Sequence, residues 1–286
     1  MKFENTEVFN FEGAIRGMRN PLESWGKSDS SFGVQCDHED NYENLYEVAH
    51  SYAYEALKDM DDETAEYAKL YDKITEEKIE WLGNEGTRGM TQDHHYTANY
   101  IGPNDLSLMK RLIKAGPEHR KFLRQIFVSV DITAPLYLWK EFDTYKVGTT
   151  ANSTSTMHKM ASKPITLDCF EIDDLNQINS ITIGNALDIQ LREWINVVID
   201  GCEALRQKYL ETKDKKYWKE LIRWLPESWL QTRTVTLTYE NILSMLKQRS
   251  AHKLNEWSGK DNPDLENFCS WAWSLPYAEE LFKEVV

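Results

Sequence analysis

Hydroxyl, amide and cationic side chains crowd into one stretch near the middle of the sequence. WKEFDTYKVGTTANSTSTMHK, residues 139–159, contains Lys140, Lys146 and Lys159 beside Asn152, Ser153, Thr154, Ser155 and Thr156. A solvated loop explains the hydroxyls alone, because Ser, Thr and Asn compete with the backbone for hydrogen bonds and favour turns. An anion-binding turn explains the hydroxyls and the cations together, since phosphate is held by Lys or Arg and by polar donors. The residues alone leave both interpretations open.

Two arginines and a histidine form a second candidate group further along the chain. Arg249 and His252 are three residues apart on one predicted helix and therefore share a face. Arg233 opens the strand that leads into that helix. The alternative to a binding site is a solvated helix face with aliphatic arginine stems over the core.

Metal chemistry and covalent chemistry have little support in the sequence. CDHED (residues 36–40) and DHH (residues 93–95) contain metal-ligand types, but neither has the i, i+4 or Cys-x-x-Cys spacing that brings ligands to one side. We therefore expect no metal site. The sequence also lacks a Gly-x-Ser-x-Gly motif, a P-loop and a dinucleotide fingerprint, so no protein nucleophile is expected.

Hydrophobic periodicity predicts the elements that carry these groups. Helices are expected over residues 40–82 in two runs, 105–116, 119–125, 135–146, 172–211 with a break near Gly184, 216–226, 239–257 and 263–284. Strands are expected over residues 7–11, 126–133 and 232–238, a turn-rich segment over 14–31, and a long loop over 83–105. The expected fold class is α+β, a helix-rich single domain over residues 1–286 around a small antiparallel sheet.

Composition restricts the partners and the location. The 286 residues include 10 Trp, 14 Tyr and 10 Phe, which support a substantial core. A formal net charge of −14 disfavours a nucleic-acid duplex as a partner but allows a small phosphorylated ligand held by a few cations. The four cysteines lie far apart, no stretch is apolar enough for a membrane span, and the start MKFENTEVF is too polar for a secretory signal. We therefore expect a cytoplasmic protein.

Two stretches resemble the conserved regions of flavin-dependent thymidylate synthases. LIKAGPEHRKFLRQIFVSVDITAPLYLWKEFDTYKVGTTANSTSTMHK, residues 112–159, has a helix ending in glycine, a strand ending in Ala-Pro, and a helix that leads to hydroxyls, Asn and Ser. LPESWLQTRTVTLTYENILSMLKQRSAHKLNEW, residues 225–257, has Leu-Pro, Thr-Arg before a strand, and an Arg followed by His and Glu. The core motifs thus fall within residues 105–160 and 223–257, while residues 1–100 match only loosely.

The resemblance implies a ThyX-like α+β fold and a homotetramer whose active sites lie where subunits meet. It also implies that the chain binds FAD and a pyrimidine nucleotide. Reduced flavin in that family carries the methylene group of methylene-tetrahydrofolate to C5 of the base, with NADPH as the reductant. This chemistry needs no protein nucleophile, in agreement with the missing motif.

The resemblance also implies roles for individual residues. The nucleotide-binding positions correspond to Glu141, Lys146, Ser153, Ser155, Arg223 and Arg249. The flavin-contacting positions correspond to Tyr145, Asn152, Asn241, His252 and Gln125, the last of which aligns with a histidine of the family.

The sequence departs from the family at the positions that identify the site. Thr144, Tyr145 and Lys146 stand where the family has Arg-His-Arg, so one ammonium replaces two guanidiniums suited to bidentate phosphate contacts. Glu141 stands where the family has Gln. An ionised carboxylate only accepts hydrogen bonds, which favours a base with an amino donor, such as cytosine, over uracil.

The sequence therefore predicts FAD-dependent C5 methylation or hydroxymethylation of a deoxypyrimidine monophosphate such as dUMP or dCMP. The alternative is a protein of the same fold that lacks thymidylate synthase activity and acts as a nucleotide-binding or interaction protein. The loss of Arg-His-Arg motivates that alternative. A third interpretation is an unrelated helical protein in which the motifs are coincidental.

Overall fold

The structure is a computed structural model that describes residues 1–36, 49–50, 53–54, 57–58, 60, 64–65, 67–75, 96–172, 180–184 and 187–286. The contacts within the chain divide it into two compact units. The first unit comprises Met1–Phe9 and Phe127–Trp273, and the second comprises Asn10–Ile126 and Ser274–Val286. The expectation of a single domain over residues 1–286 stays a prediction.

The described residues form short strands and helices along both units. The strands are β1 (Lys2–Phe9), β2 (Ser31–Cys36), β3 (Tyr96–Tyr100), β4 (Phe127–Pro135), β5 (Thr150–Ser153), β6 (Ser180–Ile183), β7 (Leu187–Gln190) and β8 (Leu230–Thr238). The helices are α1 (Phe11–Arg19), α2 (Pro103–Lys114), α3 (Leu136–Phe142), α4 (Thr156–Lys159), α5 (Leu191–Thr212), α6 (Lys215–Trp224), α7 (Tyr239–Arg249), α8 (Asn255–Ser258), α9 (Phe268–Trp273) and α10 (Ala278–Phe282).

The first unit is built on an antiparallel sheet with the strand order β1-β4-β8-β5. Strand β4 alternates in burial, and Val128, Val130 and Ile132 lie in the core. It pairs with β8 over its whole length, from Phe127 opposite Thr238 to Pro135 opposite Leu230. The expected fold class, helices around a small antiparallel sheet, is confirmed.

A helix follows each of the two central strands. Pro135 has extended backbone at the end of β4 and precedes the first turn of α3. The side chains that α3 buries are Leu138, Trp139 and Phe142. Thr238 ends β8 and caps α7, because its hydroxyl accepts a hydrogen bond from the backbone N–H of Asn241 while Asn241 Oδ1 accepts from the backbone N–H of Thr238.

A second hydrophobic cluster of the first unit lies between α5, α6 and the segment after α4. Its buried members are Met160, Ile165, Phe170, Ile199, Cys202 and Leu221. Arg206 on α5 donates to Glu203 and to the carbonyl of Ala161, which holds that segment against the helix. Hydrogen bonds from Arg206, the backbone N–H of Ile165 and Gln207 lower the pKa of Glu203 to about 2.

The second unit contains a buried ion pair. Arg19 Nε lies 2.6 Å from Asp105 Oδ1, and the two side chains are 5% and 0% exposed. Burial alone would raise the pKa of Asp105, but hydrogen bonds from Ser28, Ser30 and Arg19 outweigh it and hold the pKa below its usual value of 3.8. Since the folded-state pKa is the lower one, the contribution to stability is present above about pH 4 and is lost as the pH falls further.

Helix α1 covers residues 14–19 of the segment expected to be turn-rich, while residues 20–27 do form turns. Strand β1 begins earlier than the strand expected over residues 7–11. Glycine disfavours helix, and α1 contains two. A Cβ at Gly13 would lie 2.3 Å from Asn10 Oδ1, and one at Gly17 would lie 2.4 Å from Gln125 Oε1. The glycines of α1 therefore allow close packing and do not mark turns.

Several other boundaries differ from the periodicity. The hairpin β6–β7, with Gly184 at φ 63° in its turn, replaces the start of the helix expected over residues 172–211. The helix expected over residues 263–284 is divided into α9 and α10, because Tyr277 adopts a left-handed φ of 57° directly after Pro276. Strand β3 lies within the expected loop over 83–105, and β5 lies within the hydroxyl run.

Some sequence predictions fall on residues outside the described part of the chain. These include residues 37–40 of CDHED, all of DHH, and residues 40–48, 76–95 and 173–179 of the expected helices and loop. Within the described ranges, no group of three or more His, Cys, Asp and Glu side chains could hold a metal ion. None of the helices in those ranges is long and apolar enough to cross a membrane.

Replacing Arg19 with Met is expected to lower the free energy of unfolding by about 3 kcal/mol, because it leaves Asp105 buried without its counter-charge. Urea denaturation at neutral pH measures the change. Arg16→Met is the control, since Arg16 lies on the same helix with a side chain that is 67% exposed, and a change within about 0.5 kcal/mol is expected. Equal losses in the two variants would contradict the role of the buried pair.

Candidate functional site

The C-terminal ends of α3 and α7 meet through an ion pair. Arg249 Nη1 donates to Glu141 Oε2 at 2.8 Å, and Arg249 Nε donates to the hydroxyl of Tyr145 at 2.8 Å. The guanidinium also lies over the indole of Trp257, with its central carbon 4.7 Å from the ring centroid. Residues from the two stretches that carry the sequence motifs are therefore in direct contact.

Three donors converge on a single oxygen of Glu141. Trp257 Nε1 donates to Oε2 at 3.0 Å, in addition to Arg249, and His252 Nε2 lies 3.5 Å from the same oxygen. His252 Nδ1 accepts a hydrogen bond from the backbone N–H of Leu254, which places the ring proton of a neutral His252 on Nε2, facing Glu141. These contacts fix the orientation of the carboxylate.

The ion pair leaves one donor and one acceptor open toward solvent. Glu141 is 36% exposed and Arg249 is 16% exposed. Within the described residues, Glu141 Oε1 and Arg249 Nη2 have no hydrogen-bond partner. Oε1 shares a carbon with the ion-paired Oε2, and Nη2 shares a carbon with the ion-paired Nη1. Both open atoms therefore belong to the Glu141–Arg249 pair. The arrangement can offer a ligand a hydrogen-bond donor beside an acceptor, with the positive charge of Arg249 largely balanced by Glu141.

Arg233 makes a second arrangement of the same kind at the end of α3. Its Nη1 lies 2.7 Å from Asp143 Oδ1, its Nε donates to Gln231 Oε1 at 3.0 Å, and its guanidinium lies 4.2 Å from the ring centroid of Trp139. Trp139 is buried. Arg233 therefore packs over a core side chain, and within the described residues it makes no hydrogen bond or ion pair with Glu141 or Arg249.

The hydroxyl run begins on an exposed edge strand, β5, and continues through Thr154 and Ser155 to the start of α4. Asn152 and Ser153 lie on β5, where their backbones pair with Thr234 and Arg233 of β8, and their side chains are exposed. Gln231 donates to the carbonyl of Thr154 at 2.8 Å and so ties the end of the run to β8. Ser155 is half-buried just beyond the strand.

The lysines of the same stretch differ in their contacts. Lys140 pairs with Glu227 at 2.6 Å on the protein surface. Lys146 and Lys159 are exposed, and Lys146 directly follows Tyr145 of the Arg249 cluster. Lys146 is therefore the lysine of this stretch that lies next to the cluster in the chain.

Three of the residues assigned by resemblance have other contacts in the structure. Asn241 caps α7, and its Nδ2 donates to the carbonyl of Val147 at 2.7 Å. Arg223 is exposed on α6 and pairs with Glu220, with no contact to Glu141 or Arg249 in the described part of the chain. Gln125 belongs to the second unit, where its side chain lies against Gly17. Their roles in binding stay proposals.

Sequence reasoning did not single out Trp257, which contacts both members of the central ion pair. It ends the stretch LPESWLQTRTVTLTYENILSMLKQRSAHKLNEW, but a tryptophan at the end of a predicted helix is ordinarily interpreted as core. Trp257 is indeed buried, with its indole N–H on Glu141 and its ring against Arg249, Tyr145 and His252. The neighbouring Glu256 is buried too, accepts a hydrogen bond from Tyr137, and has its pKa raised by burial.

Comparisons with known proteins identify the fold. No family model matches the sequence, and no curated protein sequence is similar to it. The chain is similar to the solved structure of thymidylate synthase X (ThyX) from Helicobacter pylori with FAD and dUMP, with a TM-score of 0.50 and 12% identity over 99% of this chain and 98% of that chain. This similarity extends over the whole chain and shows the fold.

Two further structures are similar over smaller parts of the chain. A flavin-dependent thymidylate synthase ThyX from Helicobacter pylori, complexed with FAD and dUMP, has a TM-score of 0.42 and 15% identity over 65% of this chain and 84% of that chain. A UMP/dUMP methylase, PolB from Streptomyces cacaoi bound with 5-Br UMP, has a TM-score of 0.37 and 12% identity over 52% of this chain and 67% of that chain. These two scores are too low to add to the argument. The expected ThyX-like α+β fold is confirmed by the full-length similarity.

Glu141→Gln is expected to raise the affinity for inorganic phosphate by up to about fivefold, because it removes the carboxylate that balances the charge of Arg249. Titration of inorganic phosphate followed by ³¹P NMR measures the affinity. Glu211→Gln, which makes the same change of net charge at an exposed position of α5, is the control. An unchanged affinity in Glu141→Gln, or an equal rise in the control, would show that Glu141 does not restrain Arg249.

Proposed function

We propose that this chain is a flavin-dependent enzyme that transfers a one-carbon group to C5 of a deoxypyrimidine monophosphate such as dUMP or dCMP. Methylene-tetrahydrofolate is the proposed donor, with NADPH as the reductant, and methylation and hydroxymethylation are both within the proposal. The ligand would bind at the cluster of Glu141, Tyr145, Arg249, His252 and Trp257. A homotetramer with shared active sites and a cytoplasmic location belong to the same proposal.

One observation carries the proposal. The motif stretches are distant in sequence, yet Glu141 and Tyr145 from the first contact Arg249 from the second within a chain of ThyX-like fold. A coincidental match of motifs has no reason to bring these residues together. The unrelated helical protein of the third interpretation is therefore disfavoured.

The chain's own residues would position the nucleotide. Arg249 and Glu141 offer a donor and an acceptor, Lys146 offers an exposed ammonium, and Ser153 and Ser155 offer hydroxyls from β5 and the residues after it. Arg223 is retained as a proposed phosphate contact. Because the proposed reaction involves no protein nucleophile, these residues would act by binding and orienting the base and the phosphate.

The proposed flavin contacts fit FAD unevenly. Tyr145 and Asn152 have accessible side chains, and His252 is partly exposed beside the ion pair. Asn241 already uses its carbonyl in the capping box of α7 and its amide on the carbonyl of Val147, and Gln125 lies against Gly17. FAD would supply redox chemistry that no side chain provides, and the residues best placed to hold it are Tyr145, Asn152 and His252.

A second candidate function is nucleotide binding without thymidylate synthase activity. The observation that favours it is the Glu141–Arg249 ion pair, which balances the charge of the arginine proposed to bind the nucleotide. Thr144, Tyr145 and Lys146 in place of Arg-His-Arg point in the same direction. Both candidates predict a bound nucleotide, and flavin binding separates them.

Purified protein is expected to be yellow, or to gain about 5 °C in its melting temperature on addition of saturating FAD, because a ligand that binds only the folded state stabilises it. Release of tritium from [5-³H]dUMP or [5-³H]dCMP, in the presence of FAD, methylene-tetrahydrofolate and NADPH, then measures substitution at C5. Colourless protein that is stabilised by nucleotide but not by FAD would favour the second candidate. Protein that responds to neither ligand would contradict both.

Arg249→Gln is expected to weaken the binding of dUMP and dCMP by tenfold or more, because hydrogen bonds from a charged donor are among the stronger polar contacts. Isothermal titration calorimetry measures the affinity, and circular dichroism checks the fold. Arg223→Gln makes the same change of charge at the second proposed contact, and a smaller loss is expected because Arg223 is exposed and paired with Glu220. Equal losses would contradict the assignment of Arg249 as the main contact.

A further inference from the structure

A cleft of about 250 Å³ lies within the second unit, between one face of α1 and residues 25–32. Its lining on α1 comes from Glu12, Ile15, Arg16 and Arg19, which share a face by their spacing. The opposite wall includes Trp25 and Phe32. None of these residues belongs to the cluster of the proposed function.

The buried ion pair of the second unit fixes the wall of this cleft. Arg19 Nη1 donates to the carbonyl of Ser24 at 3.2 Å and Nη2 donates to that of Lys27 at 3.0 Å. The hydroxyls of Ser28 and Ser30 each donate to Asp105 Oδ2 at 2.6 Å. These polar groups are therefore committed to the wall, and recognition of a ligand is left to the apolar side chains and to Glu12 and Arg16.

Trp25 gives the cleft an aromatic surface. Its indole N–H donates to Asn20 Oδ1 at 2.8 Å, which fixes the orientation of the ring, and 50% of the side chain stays exposed. A large aromatic ring left half in solvent beside Ile15 and Phe32 suits the stacking of a flat, apolar ligand group. An aromatic ring is the group that matches this surface.

Two opposite charges stand at the rim of the cleft. Glu12 and Arg16 are one helical turn apart and each is 67% exposed, with 3.9 Å between Glu12 Oε1 and Arg16 Nη1. That distance makes an exposed ion pair without a hydrogen bond, so both groups keep their hydrogen-bonding capacity for a ligand. An anion alone would meet Glu12 and the net charge of −14, and a cation alone would meet Arg16. A ligand that carries both charges satisfies both residues.

We propose that this cleft binds a small aromatic zwitterion with the chemistry of a free aromatic amino acid. The ring stacks on Trp25, the carboxylate pairs with Arg16, and the ammonium pairs with Glu12. The site is independent of the proposed function, since it uses neither Glu141 nor Arg249.

The test uses the full chain labelled with 5-fluorotryptophan and ¹⁹F NMR, with the Trp25 resonance assigned from the Trp25→Phe variant. The probes are L-phenylalanine, 3-phenylpropionate, which lacks the ammonium, and phenethylamine, which lacks the carboxylate. L-Phenylalanine is expected to shift the Trp25 resonance saturably and to bind two- to fivefold more tightly than either analogue, as expected for exposed ion pairs. A Trp25 resonance that responds to none of the three probes would overturn the proposal.

Two exposed variants assign the charges. In Arg16→Gln, L-phenylalanine is expected to bind no more tightly than phenethylamine, and in Glu12→Gln no more tightly than 3-phenylpropionate. Arg124→Gln, at an exposed position of the same unit, is the control and is expected to leave all three affinities unchanged. Tighter binding of 3-phenylpropionate than of L-phenylalanine to the unmodified protein, or unchanged L-phenylalanine affinity in both variants, would overturn the assignment.

Discussion

The ion pair between Glu141 and Arg249 is the contact on which the geometry of the candidate site depends. Strands β4 and β8 are antiparallel neighbours, so the helices that follow them start at opposite ends of the strand pair. Helix α7 has to return along the sheet before its last residue, Arg249, can meet the last turn of α3. The capping box at Thr238 sets where α7 begins, and its length then brings Arg249 to Glu141.

The last turn of α3 and the residue that follows it are held by two arginines in the same way. Arg249 pairs with Glu141 and lies over Trp257, while Arg233 pairs with Asp143 and lies over Trp139. Cations near a helix C-terminus also interact favourably with its backbone carbonyls. Stacking on an indole holds a guanidinium in place without consuming its donors, which is why each arginine fixes the helix end and still leaves one Nη group open in the described residues.

The sequence alone predicts those strands and helices whose hydrophobic patterns are strong and local. Strand β4 alternates between core and surface, and β8 ends where its helix begins, so both were expected to within a few residues. Helix α1 was not predicted, because its glycines were interpreted as turn residues. They allow close packing against Asn10 and Gln125, and no local sequence pattern indicates that contact. Strand β5 was not expected, since an edge strand with four exposed side chains has no hydrophobic alternation.

For the candidate site, too, the sequence predicts local relations but not contacts between distant residues. The spacing of Arg249 and His252 predicted a shared helix face, but α7 ends at Arg249 and His252 lies beyond it. The two side chains meet at Glu141 instead. Glu141 could be connected to Arg249 only through a resemblance, since the two lie 108 positions apart and no periodicity joins them. Trp257 could not be distinguished from an ordinary core tryptophan, because it is buried and its contacts with Glu141 and Arg249 join residues that are distant in sequence.

The charge of the cluster determines what a phosphorylated ligand would need from the rest of the stretch. Arg249 is balanced by Glu141, so this pair suits a polar edge with an acceptor and a donor better than a doubly charged phosphate. The phosphate then requires another cation within reach of the same cluster. Lys146 follows Tyr145 directly, is exposed, and has no ion-pair partner in the described ranges, whereas Lys140 is already paired with Glu227. The anion-binding interpretation of the hydroxyl run therefore rests on Lys146 and the exposed edge of β5, and the arginine of the second motif is better suited to the base.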